Sequence, residues 1–172
     1  MTKVIRVLNI MFVIALFLLV GCAPSEEEAL TSVESIAKTE FEKKPQEANQ
    51  KHENFNLYVP NDYKVTEVSK SNLILENGDQ TFILFYNSLE ETTSKLNFQA
   101  AEANGNYQLL QSFEDNERFG YVKVSKLEKN YELQIGIGGV KITTQTNLRN
   151  IEEDTEKMMK MANSLAYSSE KE

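Results

Sequence analysis

The stretch that most restricts the fold is residues 81 to 86, where Phe82, Ile83, Leu84 and Phe85 follow one another with no polar residue between them. Successive strand side chains point to opposite faces of a sheet, so this run predicts a central strand covered on both sides. One layer would cover Phe82 and Leu84, and another would cover Ile83 and Phe85. Such a strand requires partner elements on each face of its sheet.

The flanking segments supply them. Residues 55 to 59, 63 to 68 and 73 to 75 read as shorter strands, and Asn77, Gly78 and Asp79 form a turn signal before the central one. Ser88 and Glu91 are spaced as a capping box and predict a helix running to about Ala103, with Leu89, Leu96 and Ala100 among its apolar positions and Asn104 and Gly105 at its end. Three strands near 107–113, 118–127 and 131–143 then predict an antiparallel meander. In the last of these Tyr131, Leu133, Ile135 and Ile137 hold one phase and Val140 and Ile142 the other, so the switch at Gly138 and Gly139 predicts a bulge. A closing helix has Asn150 as N-cap and Glu153 at its third position, with Ile151, Met158, Met159, Ala162 and Leu165 at helical spacing. The expected fold class is α+β, an antiparallel sheet of about seven strands with helices on it as an α/β/α sandwich. It occupies residues 55–167, long enough to hold a core of its own, and residues 168–172 form a polar tail.

Charge and residue counts remove several function classes. The 172 residues carry a net charge of −8, and no stretch is basic enough to neutralise phosphates, so no nucleic-acid partner is expected. A single Cys excludes an intrachain disulfide, and with a single His beside it a structural zinc site lacks ligands. No metal and no cofactor are expected.

Residues 1–21 carry Lys3 and Arg6 and no acid, and the apolar run from 7 to 20 is 14 residues long, interrupted by Asn9. A membrane-crossing helix needs about 20 apolar residues, so this run suits the h-region of a signal peptide. Leu19, Val20 and Gly21, followed by Cys22, resemble a bacterial lipobox at all four positions. The resemblance implies diacylglyceryl transfer to the Cys22 thiol and cleavage before it, leaving Cys22 as the first residue. Two or three acyl chains at ~0.8 kcal/mol per buried CH₂ hold a protein stably on a membrane without a spanning helix. Removing residues 1–21 takes away two cations and no acid, so the mature chain would carry a net charge of −10.

Residues 22–54 hold eight Glu, four Lys and no Gly. They read as a polar, partly helical tether. Ser25 and Glu28 are spaced as a capping box for a helix over about 26–43, with Leu30, Val33, Ala37 and Phe41 on one narrow face that could dock on the domain, on a partner, or nowhere.

Residues with chemical potential are few. Gly136, Gly138 and Gly139 lack the Lys-Ser/Thr pair and the immediate helix of a phosphate loop, so a bulge or a close backbone approach explains them better. His52, the only imidazole, lies in the tether. Glu114, Asp115 and Glu117 fall at a hairpin tip, and Glu152, Glu153 and Asp154 in a helix's first turn, where the dipole favours acids. Met158, Met159 and Met161 could line an adaptable groove, but core packing is the commoner use of such spacing. No catalytic residue is assigned.

Phe55, Leu57, Val59, Pro60, Tyr63 and Val65 resemble the opening of the PsbP/Mog1-like domains, and Met161, Ser164 and Leu165 are similar to their close. The resemblance spans residues 55–167. It implies an α/β/α sandwich with a binding or assembly-accessory role and no shared catalytic set, so no functional residue carries over. The expected protein is a lipoprotein held on the extracytoplasmic face of the cell membrane by its lipid anchor, non-catalytic, with an envelope protein as possible partner. The alternative reading is an envelope hydrolase working through carboxylates.

Overall fold

The computed structural model describes residues 24–53 and 55–169. Its elements are α1 (Glu26–Glu42), β1 (Gln50–Lys51), β2 (Asn56–Leu57), β3 (Lys64–Val68), β4 (Asn72–Asn77), β5 (Gln80–Tyr86), α2 (Leu96–Ala103), β6 (Leu109–Glu114), β7 (Phe119–Lys126), β8 (Tyr131–Ile137), β9 (Val140–Thr146) and α3 (Ile151–Ser169). Strands β3 to β9 form one antiparallel sheet in the order β3-β4-β5-β9-β8-β7-β6, as the α+β reading requires. The chain crosses from β5 through α2 to the far edge at β6, and the meander returns until β9 pairs with β5.

Two helices cover one face. Leu73, Leu75, Phe82, Leu84, Val122, Val124, Leu133, Ile135 and Ile142 point to that side and are buried in one core with Met158, Met159 and Met161 of α3, which lies over β8 and β9. The other cover is α1. Its capping box is complete, with Glu28 N donating to Ser25 Oγ at 3.2 Å and Ser25 N to Glu28 Oε2 at 2.9 Å. Ala29, Val33, Ala37 and Phe41 recur every fourth residue, and none is more than 2% exposed. Where Phe41 crosses β7 a Cβ on Gly120 would stand 2.7 Å from its ring, so that strand position must lack a side chain. Residues 26–42 are therefore part of the domain's core, and a domain beginning at residue 55 would leave that face of β6 and β7 bare.

A buried polar junction fixes the end of α1. Asn163 of α3 donates from Nδ2 to the carbonyls of Glu40 at 3.1 Å and Lys43 at 3.2 Å, satisfying groups that a helix end leaves without partners. Its Oδ1 accepts from Arg118 at 2.5 Å, and that guanidinium stacks 4.5 Å from the Phe41 ring centroid and pairs with Asp115 at 2.5 Å.

Among the described residues α2 is the one helix on the opposite face. Phe98 stands edge-on to Phe119 at 5.4 Å and to Tyr121 at 5.9 Å, so the helix lies over β7. It starts at Leu96, not near Ser88. Residues 88 to 94 run as turns held by Thr92, whose hydroxyl donates to Glu117 O at 2.6 Å and whose carbonyl accepts from Phe119 N at 3.0 Å. The third layer of the sandwich is thus partial.

Two strand expectations change for identifiable reasons. The phase switch at Gly138 and Gly139 is a two-residue hairpin, with Ile137 paired to Val140, so Ile135, Ile137, Val140 and Ile142 all face one side. Gly138 takes φ 50°, and a Cβ there would stand 2.5 Å from Glu91 O. The strand expected over 55–59 shrinks to β2, paired with β1 rather than joined to the large sheet. Its next two amides are taken by side chains: Tyr58 N donates to Ser164 Oγ and Val59 N to Asn49 Oδ1, both at 2.8 Å.

Candidate functional site

Part of the second face is left uncovered by the described residues. Across it Ile74, Ile83, Thr143 and Gln134 lie in one registered row, and Asn72, Phe85, Lys141 and Gly136 in the next. Ile83 is 50% exposed, so the central strand is buried on one side and open on the other. Phe85 is half-buried, with Lys141 Nζ 5.6 Å from its ring centroid. The expectation that Ile83 and Phe85 share a full covering layer fails because the helix meant for it lies over β7. Thr143, Gln134 and Lys141 make this half of the face polar enough to meet water, as an antiparallel sheet allows.

One end of that face deepens into a groove of about 740 Å³. Thr81 of β5 lies on its floor with Gln145 of β9 and Glu132 of β8, which are in register, and Thr143 and Ile83 stand beside them. Turn residues make the rim: Asn77 and Asp79 before β5, Asn130 before β8, Asn147 and Asn150 before α3. Behind the floor Asp154 is buried, accepting from Thr146 Oγ1 at 2.5 Å and Gln80 Nε2 at 2.8 Å. Burial raises the Asp154 carboxyl above the ordinary range, with the hydrogen bonds from Thr146 and Gln80 opposing it. Among the described residues Asp79 and Glu132 are the only charged side chains in the lining, and none contributes a cation. Its chemistry is that of amides and hydroxyls, suited to a polar, uncharged or cationic ligand.

The sequence-derived candidates do not converge. Cys22, with Leu19, Val20 and Gly21, lies outside the described residues. Gly138 and Gly139 serve close backbone approach: a Cβ on Gly139 would stand 2.4 Å from Asn87 O. Gly136 leaves room for Tyr121, whose ring would meet a Cβ at 2.2 Å. His52 faces Phe55 with ring centroids 5.1 Å apart, and its buried Nε2 has no hydrogen-bond partner among the described residues. Glu114 pairs with Lys95 at 3.0 Å. Burial pushes Asp115 up, but the Glu117 amide and the Arg118 guanidinium and amide outweigh it and hold that carboxyl below the usual range. Lys157 bridges Glu153 at 2.5 Å and Asp62 at 2.6 Å.

Among the described residues no three His, Cys, Asp or Glu gather as a metal site, and no helix is long and apolar enough to cross a membrane. The groove escaped sequence reading because Asn77 reads as an ordinary turn residue and Asn130 and Asn147, far from it in sequence, are gathered beside it only by the strand order β5-β9-β8. Comparison with known protein families, with curated proteins and with solved structures gives no match.

Proposed function

We propose that the protein is a lipoprotein anchored through Cys22 to the extracytoplasmic face of the cell membrane, where it binds or helps assemble an envelope component without catalysis of its own. The observation that carries this reading is the N-terminal sequence, a basic segment, a 14-residue apolar run and Leu19, Val20, Gly21 and Cys22 in lipobox order. A binding role draws support from the half-open sheet face around Ile83 and the amide-lined groove beside it. The partial third layer is compatible with the PsbP/Mog1-like resemblance and its assembly-accessory implication.

The test begins with metabolic labelling by a palmitate analogue, which should mark the natural chain and not Cys22→Ala. A natural chain that took up no label and kept residues 1–21 would replace the lipoprotein reading with a signal anchor. For the binding face, a photocrosslinker placed at Ile83 in intact membranes should yield a discrete adduct, and absence of any adduct there would remove the face from consideration. The hydrolase alternative now rests on Asp79 and Glu132, the two carboxylates of the groove. It requires turnover of an envelope polymer that Glu132→Gln abolishes.

A further inference from the structure

The place where the folded domain begins determines which of its ends meets the lipid. Ser25 is already the N-cap of α1, and Ala29 of that helix is fully buried, so only Ala23 and Pro24 separate the lipobox cysteine from the domain. Three residue steps reach at most about 11 Å. A coil across residues 22–54 would have spanned roughly 30 Å and left orientation free. With α1 docked, that freedom is gone.

The N-terminus of α1 lies at one identifiable end of the sheet. Glu26 pairs with Lys126 at 2.5 Å, at the last position of β7. The β7–β8 turn therefore lies at this end, and so does the loop into β6, where Ser125 Oγ donates to Asn106 O at 2.6 Å. These two loops carry the exposed apolar side chains Leu127, 37% exposed, and Tyr107, 40% exposed. The opposite end holds the Gly138–Gly139 hairpin, to which residues 87 to 94 are bound through Asn87 N and Gly139 O at 3.0 Å, and it presents Leu89, 92% exposed. Strand β8, seven residues long, separates the two ends by roughly 20 Å.

We propose that the end formed by the start of α1, the β7–β8 turn and the loop before β6 is a membrane-facing surface, with Leu127 and Tyr107 at the headgroup interface and Leu89 turned away from the bilayer. The inference rests on the lipoprotein reading and specifies its geometry. Its occupant is a lipid surface because the chain preceding residue 24 leaves the domain at this end and would carry the acyl chains. An aromatic and an aliphatic side chain flanking an anchor point are the residue types that settle in an interface. The amide-lined groove shares this end, through Asn130 and Glu132, and would open at headgroup height.

The experiment uses the full lipidated chain in phosphatidylcholine vesicles containing a headgroup-spin-labelled lipid. Cys22 is the only natural thiol and is consumed by the lipid, so Leu127→Cys, Tyr107→Cys and Leu89→Cys each accept one fluorophore. The expected result is quenching several-fold stronger at 127 and 107 than at 89. A 20-residue Gly/Ser insertion after Cys22, spanning roughly 25 Å as a coil, should erase that difference while flotation with the vesicles persists. Equal quenching at all three sites, or strongest quenching at 89, would overturn the orientation and leave the anchoring reading intact. Failure of the natural chain to float would overturn the anchoring reading, and the orientation with it.

Discussion

Deleting α1 should unfold the domain, although the apolar strands and both later helices remain. The magnitude follows from what α1 buries. Phe41 and Val33, at most 2% exposed, contribute about 4 to 5 kcal/mol at 1.5–3 kcal/mol for each such side chain, and Ala29 and Ala37 add about 1 more. Loss of the Glu40 and Lys43 carbonyls removes two hydrogen bonds from Asn163, about 1–3 kcal/mol at about 0.5–1.5 kcal/mol each. The total, roughly 7 kcal/mol, is comparable to the whole stability of an ordinary domain, 5–15 kcal/mol. Urea unfolding followed by far-ultraviolet circular dichroism should show a cooperative transition for residues 25–169 and none for residues 44–169. As a graded version, Phe41→Ala should cost about 3–5 kcal/mol through the cavity it leaves. A 44–169 fragment that unfolded cooperatively at nearly the same urea concentration would refute the reasoning and restore residues 22–54 as a tether.

Three further outcomes test other parts of the fold. Phe82→Ala should cost about 3–5 kcal/mol, because its ring is fully buried, whereas Ile83→Ala, at a half-exposed position, should cost less than about 1 kcal/mol in the same urea titration. Gly138→Ala should destabilise by more than the about 1–3 kcal/mol of a strained left-handed residue, because the added Cβ also meets the backbone of residues 91 and 92; a calorimetric scan with an unchanged midpoint would contradict that contact. Asp154→Asn should stabilise at neutral pH: burial raises the folded carboxyl's pKa, so the folded state binds the proton more readily and wild-type stability rises as pH falls through that pKa. The variant's advantage should therefore shrink on acidification, and a constant advantage from pH 7 to pH 3 would exclude Asp154 as its source.

Local chemistry was the legible part of this fold. The Ser25-Glu28 capping box, the turn at Gly78 and the strand phases of β8 and β9 are short-range patterns, and each appears as its spacing requires. Misreadings arose where two local signals were equivalent. A phase switch at two glycines looks the same for a bulge and for a two-residue hairpin, since both move the following side chains to the other parity. Ser88 and Glu91 have capping-box spacing, yet Thr92 finds better partners in Glu117 and Phe119 across the sheet, and the helix starts about two turns later, at Leu96.

Residues 22–54 show what composition alone conceals. The helix over about 26–43 and its narrow apolar face are legible among eight Glu and four Lys, but where that face docks stays open between the domain, a partner and nothing, because one apolar side chain per turn suffices only when the partner surface is shaped for it. That shaping lies far away in sequence: Gly120 makes the space for Phe41, and Asn163 closes the helix end. Neither residue signals this role in isolation, since one reads as a weak strand position and the other as a polar position on a helix. The same long-range pairing fixes α1 to the sheet. Once Phe41 and Asn163 hold α1, the distance from Cys22 to the core is set by two residues rather than by thirty. On the proposed lipoprotein reading the lipobox is local and legible, whereas the orientation it would impose depends on contacts that only the fold brings together.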